Sequence, residues 1–137
     1  MIFVDASALI SIITGEPDAA ALADQLEAER LRLCSAVSVW ETIAGLVHSY
    51  TFSVPSARAH VRHFLEAGGI QFVGIGEREF EIAADAYAQF GKGRHPAALN
   101  MGDCYAYACA KANRAKLLFQ GDDFSKTDIV AAGSWKA

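Results

Sequence analysis

The chain has 137 residues, 53% of them hydrophobic, and a formal net charge of −4. That length fits one domain, residues 1–137, whose core needs no disulfide staples. The acidic balance counts against a passive nucleic-acid binder, which would grip phosphates with a basic surface. It leaves open an enzyme that meets phosphates through a bound cation.

Residues 1–4 are apolar, but Asp5 follows at once and no basic segment precedes them, so the start does not read as a signal peptide. No apolar run approaches the roughly 18 residues that cross a bilayer. The expected location is the cytoplasm, with no membrane partner. The three cysteines, Cys34, Cys104 and Cys109, form no CxxC pair. They read as buried thiols, not as a disulfide framework or a zinc site.

In chain order, Ile2-Phe3-Val4 is a short β-prone run that reads as a buried strand. A helical segment to Ile13 follows Asp5-Ala6-Ser7. Gly15-Glu16-Pro17 breaks it and opens a second helix, Asp18 to Arg30. Arg32 to Ser35 is the next strand. Val37 to Tyr50 is a helix apolar on nearly every side, which is the pattern of a buried helix. Ser56 to Ala67 is an amphipathic helix that stops at Gly68-Gly69. Ile70 to Val73 is a third strand and Glu77 to Phe90 an alanine-rich helix. A polar, basic loop covers Gly91 to Pro96, and a second alanine-rich helix covers Gly102 to Asn113. Leu117 to Phe119 is a fourth strand, and Ile129 to Ala132 is read as a last short one. Short apolar strands alternating with helices give an α/β fold with a parallel sheet covered on both faces. Such sheets bind ligands beyond the carboxyl ends of their strands, near a switch in strand order.

Carboxylates stand where that rule looks. Asp5 follows the first strand and is equally a good helix N-cap. Glu41 is the only acid between Glu29 and Glu66. On an apolar helix it would be costly unless paired or bound to a cation. Asp103 lies in the first turn of its helix, where an acid also favours the helix dipole. Asp122 and Asp123 follow the fourth strand. One of them suffices for a site, and Asp122, nearer the strand end, is favoured. If these acids converge, two like charges about 4 Å apart cost on the order of 4 kcal/mol at an effective dielectric near 20. A cation or protonation must relieve that. Oxygen ligands without His or Cys favour Mg²⁺ or Mn²⁺ over zinc. Ser7 either shares the capping of its helix or assists the site. Arg94, in the basic Lys92–His95 stretch, either contacts substrate phosphate or is simply solvated. His60 and His63, three residues apart, read as a solvated face with Arg58 and Arg62. No Walker, GxGxxG or GxSxG pattern occurs.

The segments MIFVDASALISIITGEP, SAVSVWET, FGKGRHPAALNMGDCYAYACAK and LLFQGDDFSKTDI resemble, in order and over nearly the whole chain, those of a PIN-domain toxin. Specifically, the chain is similar to the VapC ribonucleases of bacterial toxin–antitoxin pairs. The resemblance implies a three-layer α/β/α sandwich around a parallel sheet of four to five strands. It implies a Mg²⁺-dependent endoribonuclease (Mn²⁺ substituting), a homodimer, and a cognate VapB-type antitoxin. It implies that Asp5 and Asp103 hold the metal and that Glu41 and Asp122, or Asp123 in its place, complete the catalytic set. The competing reading is a catalytically silent PIN-fold module that mainly binds a partner protein. Two lookalikes fail. A haloacid-dehalogenase phosphatase would carry an Asp where Ser7 stands, and the acidic pair and late lysine of a response-regulator receiver are not in place.

Overall fold

The computed structural model describes residues 1–132. Four strands, β1 (Ile2–Val4), β2 (Arg32–Cys34), β3 (Ile70–Phe72) and β4 (Lys116–Leu118), form one parallel sheet in the order β3-β2-β1-β4. Six helices connect them: α1 (Ala6–Thr14), α2 (Ala19–Glu27), α3 (Ala36–Tyr50), α4 (Val54–Ala67), α5 (Glu77–Phe90) and α6 (Met101–Ala112). The strand order reverses at β1, with β2 on one side and β4 on the other. The crevice at the carboxyl ends of β1 and β4 is therefore the switch point where such sheets place ligands.

The sheet is buried on both faces because its strands are apolar on both. Ile2, Val4, Cys34, Ile70 and Leu118 face α1 to α4, where Leu9, Leu22, Leu46, Val61 and Leu65 complete one core. Phe3, Leu33 and Leu117 face α5 and α6 and pack with Phe90, Leu99 and the alanines of α6. Phe3 is in register with Leu33 on one side and Leu117 on the other, so the three form a single row under the second layer. Cys34, Cys104 and Cys109 are free and buried, as their spacing implied.

Helix ends follow local chemistry. Ser35 and Ser38 make a capping box at the start of α3. Ser53 accepts from Ser56 N–H and starts α4 two residues earlier than the apolar pattern suggests. Helix α2 stops at Glu27, short of Arg30, because Arg32 takes its end. The guanidinium donates to the carbonyls of Leu26, Glu27 and Glu29 and, across the sheet edge, to that of Gly68.

Two expectations need correction. Residues 129–132 form no strand. They contribute one parallel bridge, Leu117 to Ala131, secured by Leu117 N–H to Val130 O and Ala132 N–H to Leu117 O. The segment is held instead by side chains: Asp128 accepts from the Tyr107 hydroxyl at 2.5 Å and from Lys111 Nζ at 2.8 Å. Helix α3 is not buried all round either. Only Ser38, Thr42 and Leu46 are fully covered, and Trp40 is 68% exposed. Its apolar periphery exceeds what one sheet face can cover.

Phe3 occupies the centre of its core with no exposed surface. Phe3→Ala is expected to cost about 3–5 kcal/mol in urea unfolding, as large-to-small changes at such sites do. A loss below about 1 kcal/mol would mean that the row around Phe3 does not hold the two layers together.

Candidate active site

Asp5 leaves β1 as its backbone N–H bonds to Leu118 O of β4 at 2.9 Å. It caps α1, its Oδ2 accepting from Ser7 N–H at 3.0 Å and from the Ser7 hydroxyl at 2.6 Å. It is only 4% exposed. Burial raises its pKa, against the opposing effect of the Ser7 hydrogen bonds. Ser7 is thus engaged with Asp5 on one side, and on the other its Oγ accepts from Gln120 N–H at 3.0 Å. It joins the ends of β1 and β4.

Asp103 is the third residue of α6 and completes a capping box. It accepts at Oδ2 from Asn100 N–H at 3.1 Å, while its own N–H donates to Asn100 Oδ1 at 2.9 Å. The capping readings of Asp5 and Asp103 therefore hold together with their convergence. The caps fix the two carboxylates at helix ends that point to the same crevice.

Glu41 sits in the second turn of α3, half-buried, with no hydrogen-bond or ion-pair partner among the described residues. Its carboxylate lies against Gly102 of α6, where any Cβ would overlap it. The absence of a side chain at 102 leaves the space that the Glu41 carboxylate occupies between α3 and α6. Burial, then the charges of Asp5 and Asp103, push the Glu41 pKa up to about 7. Asp103 is raised to about 6, by burial first and then by Asp5 and Asp123, with the Asn100 backbone N–H working the other way.

Of the late pair, Asp123 is the acid whose charge reaches Asp103. The strand-end argument favours Asp122 for the fourth position, and both side chains are exposed. Gly121, with φ of 97°, turns the chain after β4. Asp122 is exposed and uses its carbonyl to take Ser125 N–H and Oγ. Arg94 is not brought to the acids. It lies over the Tyr87 ring at 5.1 Å, on the outer side of α5. His60 and His63 are exposed, as expected of a solvated face.

Asp5 and Asp103 both act on the charge of Glu41, Asp123 acts on that of Asp103, and none of the four is ion-paired to a Lys, Arg or His among the described residues. No three Asp, Glu, His or Cys side chains among those residues close into a ready metal cage. The set fits a hard cation that keeps most of its waters and takes one or two carboxylates, which is the habit of Mg²⁺. Sequence reasoning missed Gly102, whose only signal was its place directly before Asp103. It also missed Gln120 and Glu16, whose side chains bond to each other.

A PIN-domain family model matches residues 2–130. Ribonuclease VapC30 of Mycobacterium tuberculosis is 39% identical over 127 residues, covering 93% of this chain and 95% of that protein. Ribonuclease VapC of Mycolicibacterium smegmatis is 38% identical over 128 residues, covering 93% and 97%. Among solved structures, the sarcin-ricin loop cleaving toxin VapC20 of M. tuberculosis superposes with a TM-score of 0.73 at 17% identity, over 95% of this chain and 97% of that one. A toxin–antitoxin complex from Klebsiella pneumoniae gives 0.70 at 18%, over 96% of each. The chain belongs to the PIN-domain family and, within it, to the VapC ribonucleases. No helix among the described residues is long and apolar enough to cross a membrane.

Because Asp5, Glu41 and Asp103 hold protons in the folded state that they lose when unfolded, the unfolded chain binds fewer protons above about pH 4.5. Stability without added metal is expected to fall as pH rises from about 4.5 to 7, through the raised values. Urea midpoints across that range check this, and Glu41→Gln should flatten the slope. A midpoint that climbs with pH would show that the acids do not repel.

Proposed function

We propose that the protein is a Mg²⁺-dependent endoribonuclease, the toxin of a toxin–antitoxin pair. The observation that carries this reading is the Glu41 carboxylate, which lies against Gly102, has no hydrogen-bond or ion-pair partner among the described residues, and feels the charges of buried Asp5 and half-buried Asp103. Such a site lacks positive charge, and an RNA phosphodiester with its attendant cation supplies it. Asp5 and Asp103 are the residues that would hold Mg²⁺, with Mn²⁺ as a substitute. When bound, the ion activates a water for attack on phosphorus and neutralises charge on the leaving oxygen. Glu41, poised near neutrality, would take the proton of the attacking water. We assign the fourth acidic position to Asp123, whose charge reaches Asp103, and it would help to orient that water. Ser7 keeps Asp5 in one rotamer through its hydroxyl. The net charge of −4 means that RNA affinity depends on the cation more than on the protein surface.

The named relatives support the ribonuclease assignment, and the Klebsiella complex supports an antitoxin partner. An antitoxin arginine entering the acidic crevice would satisfy the same carboxylates by bidentate hydrogen bonds and compete with the metal. The exposed apolar side chains Trp40, Phe72, Phe80 and Met101 supply surface for a homodimer.

Purified protein should cleave RNA with Mg²⁺ and stop with EDTA. Asp103→Asn should lower the rate by about 10²-fold or more, the scale of losing one preorganised electrostatic group. Full cleavage by that variant would remove Asp103 from the reaction, and no cleavage by wild type would favour the silent binding module. Gly102→Ala separates site from fold. Its methyl displaces the Glu41 carboxylate, so cleavage should fall about 10²-fold. Stability should hold or rise by up to about 1 kcal/mol, since Ala is the better helix former.

A further inference from the structure

The fourth acid sits on a segment that leaves the sheet at β4 and pivots at Gly121. On the far side of the pivot, Phe124 is buried in the core at 3% exposure. On the near side everything depends on Gln120, which is held twice. Its backbone N–H donates to Ser7 Oγ. Its side-chain Nε2 donates to Glu16 Oε2 at 2.6 Å, with Asp18 Oδ1 at 3.4 Å.

Glu16 has a second donor. The Tyr50 hydroxyl, from the last residue of α3, donates to its other oxygen, Oε1. The acceptor itself is well founded. Gly15, with φ of 73°, ends α1 and turns Glu16 toward both donors. Asp18 is fixed by Ser11 Oγ at 2.6 Å, and Ser11 is fully buried. Glu16 therefore binds the segment leading to Asp123 and the helix carrying Glu41, from the end of the helix that Asp5 caps. It touches none of the four acids.

We propose that Glu16 is a positioning residue for the nuclease reaction: by holding Gln120 and Tyr50 at once, it fixes the segment bearing Asp123 against α3 and keeps the fourth acid in register with the others. This rests on the nuclease reading above. A glutamate beside a proline in the first loop otherwise looks like a helix-breaking surface residue. Its two carboxylate oxygens are instead spent on two segments more than 30 residues apart from it in sequence.

The test combines RNA-cleavage kinetics with amide hydrogen exchange on Glu16→Ala, Glu16→Gln, Gln120→Ala and Asp123→Asn. Glu16→Ala should lower kcat about tenfold or more, as small misplacements of reacting groups do, with KM little changed. Glu16→Gln keeps an oxygen acceptor and should recover part of the loss. In an Asp123→Asn background Glu16→Ala should cost nothing further, because residues acting through one another are non-additive. The hydrogen-bonded amides of Gln120, Ser125, Lys126 and Thr127 should exchange faster in Glu16→Ala than in wild type, the mark of local opening. A loss that multiplies in full with that of Asp123→Asn, or unchanged exchange at these four amides, would overturn the proposal. If wild type cleaves no RNA, the nuclease reading fails, and exchange alone then judges the clamp on the same criterion. Should Glu16→Ala not fold, Gln120→Ala removes only an exposed side chain and is judged by the same two readouts.

Discussion

The structure turns on an approach that electrostatics opposes. Glu41 comes from the layer of α1 to α4, and Asp103 from the layer of α5 and α6. The two layers meet at the carboxyl end of β1, where Asp5 already stands. Only a glycine at 102 leaves room for the Glu41 carboxylate. The result is a set of acids whose pKa values burial raises first, with neighbouring carboxylates raising Glu41 and Asp103 further, and which find no cation among the described residues. Hydrophobic burial on both faces of the sheet supplies the stability that holds them in place. The sheet carries Phe3, Leu33 and Leu117 on one face and Ile2, Val4 and Leu118 on the other.

Capping and the proposed catalysis are not rival uses of these side chains. Asp5 and Asp103 each satisfy orphan N–H groups at a helix start, which is a local stabilisation of roughly 1 kcal/mol. The same hydrogen bonds fix the carboxylates at the switch point of the sheet, so the helix ends act as mounts for the site. Glu41 has no such local use. Its position is set by tertiary packing, and burial, then the charges of Asp5 and Asp103, push its pKa up to about 7. Ser7 and Gln120 extend the arrangement by tying β1 to the turn after β4.

Much of this was legible in the sequence, for reasons that differ by residue. The strands were visible because each is a short apolar run. The helices α5 and α6 were visible because alanine-rich periodicity bounded by Gly and Asn has little other meaning. Asp5 and Glu41 could be singled out from position and context. Asp123 could not be separated from Asp122, because which of the two acts on Asp103 depends on how the chain turns at Gly121 and is anchored at Phe124, not on distance from the strand. The exposed face of α3 escaped a pattern that records apolarity but not how much surface a sheet can cover. The lone bridge at Ala131 looked like a strand because its residues are β-prone, yet it pairs only with Leu117. The contact of Gly102 with Glu41 and the bonds of Glu16 are long-range and leave no local trace.

On the proposed function, a divalent cation relieves the repulsion among these carboxylates. The most direct measurement is the melting temperature of wild type and Asp103→Asn, each with and without Mg²⁺. Asn keeps the capping oxygen and removes only the charge. On this account the variant melts at or above wild type without metal, and Mg²⁺ raises the wild-type melting temperature by mass action while moving the variant far less. A variant that melts lower, together with a wild type indifferent to Mg²⁺, would show that Asp103 is a helix-end acid and nothing more.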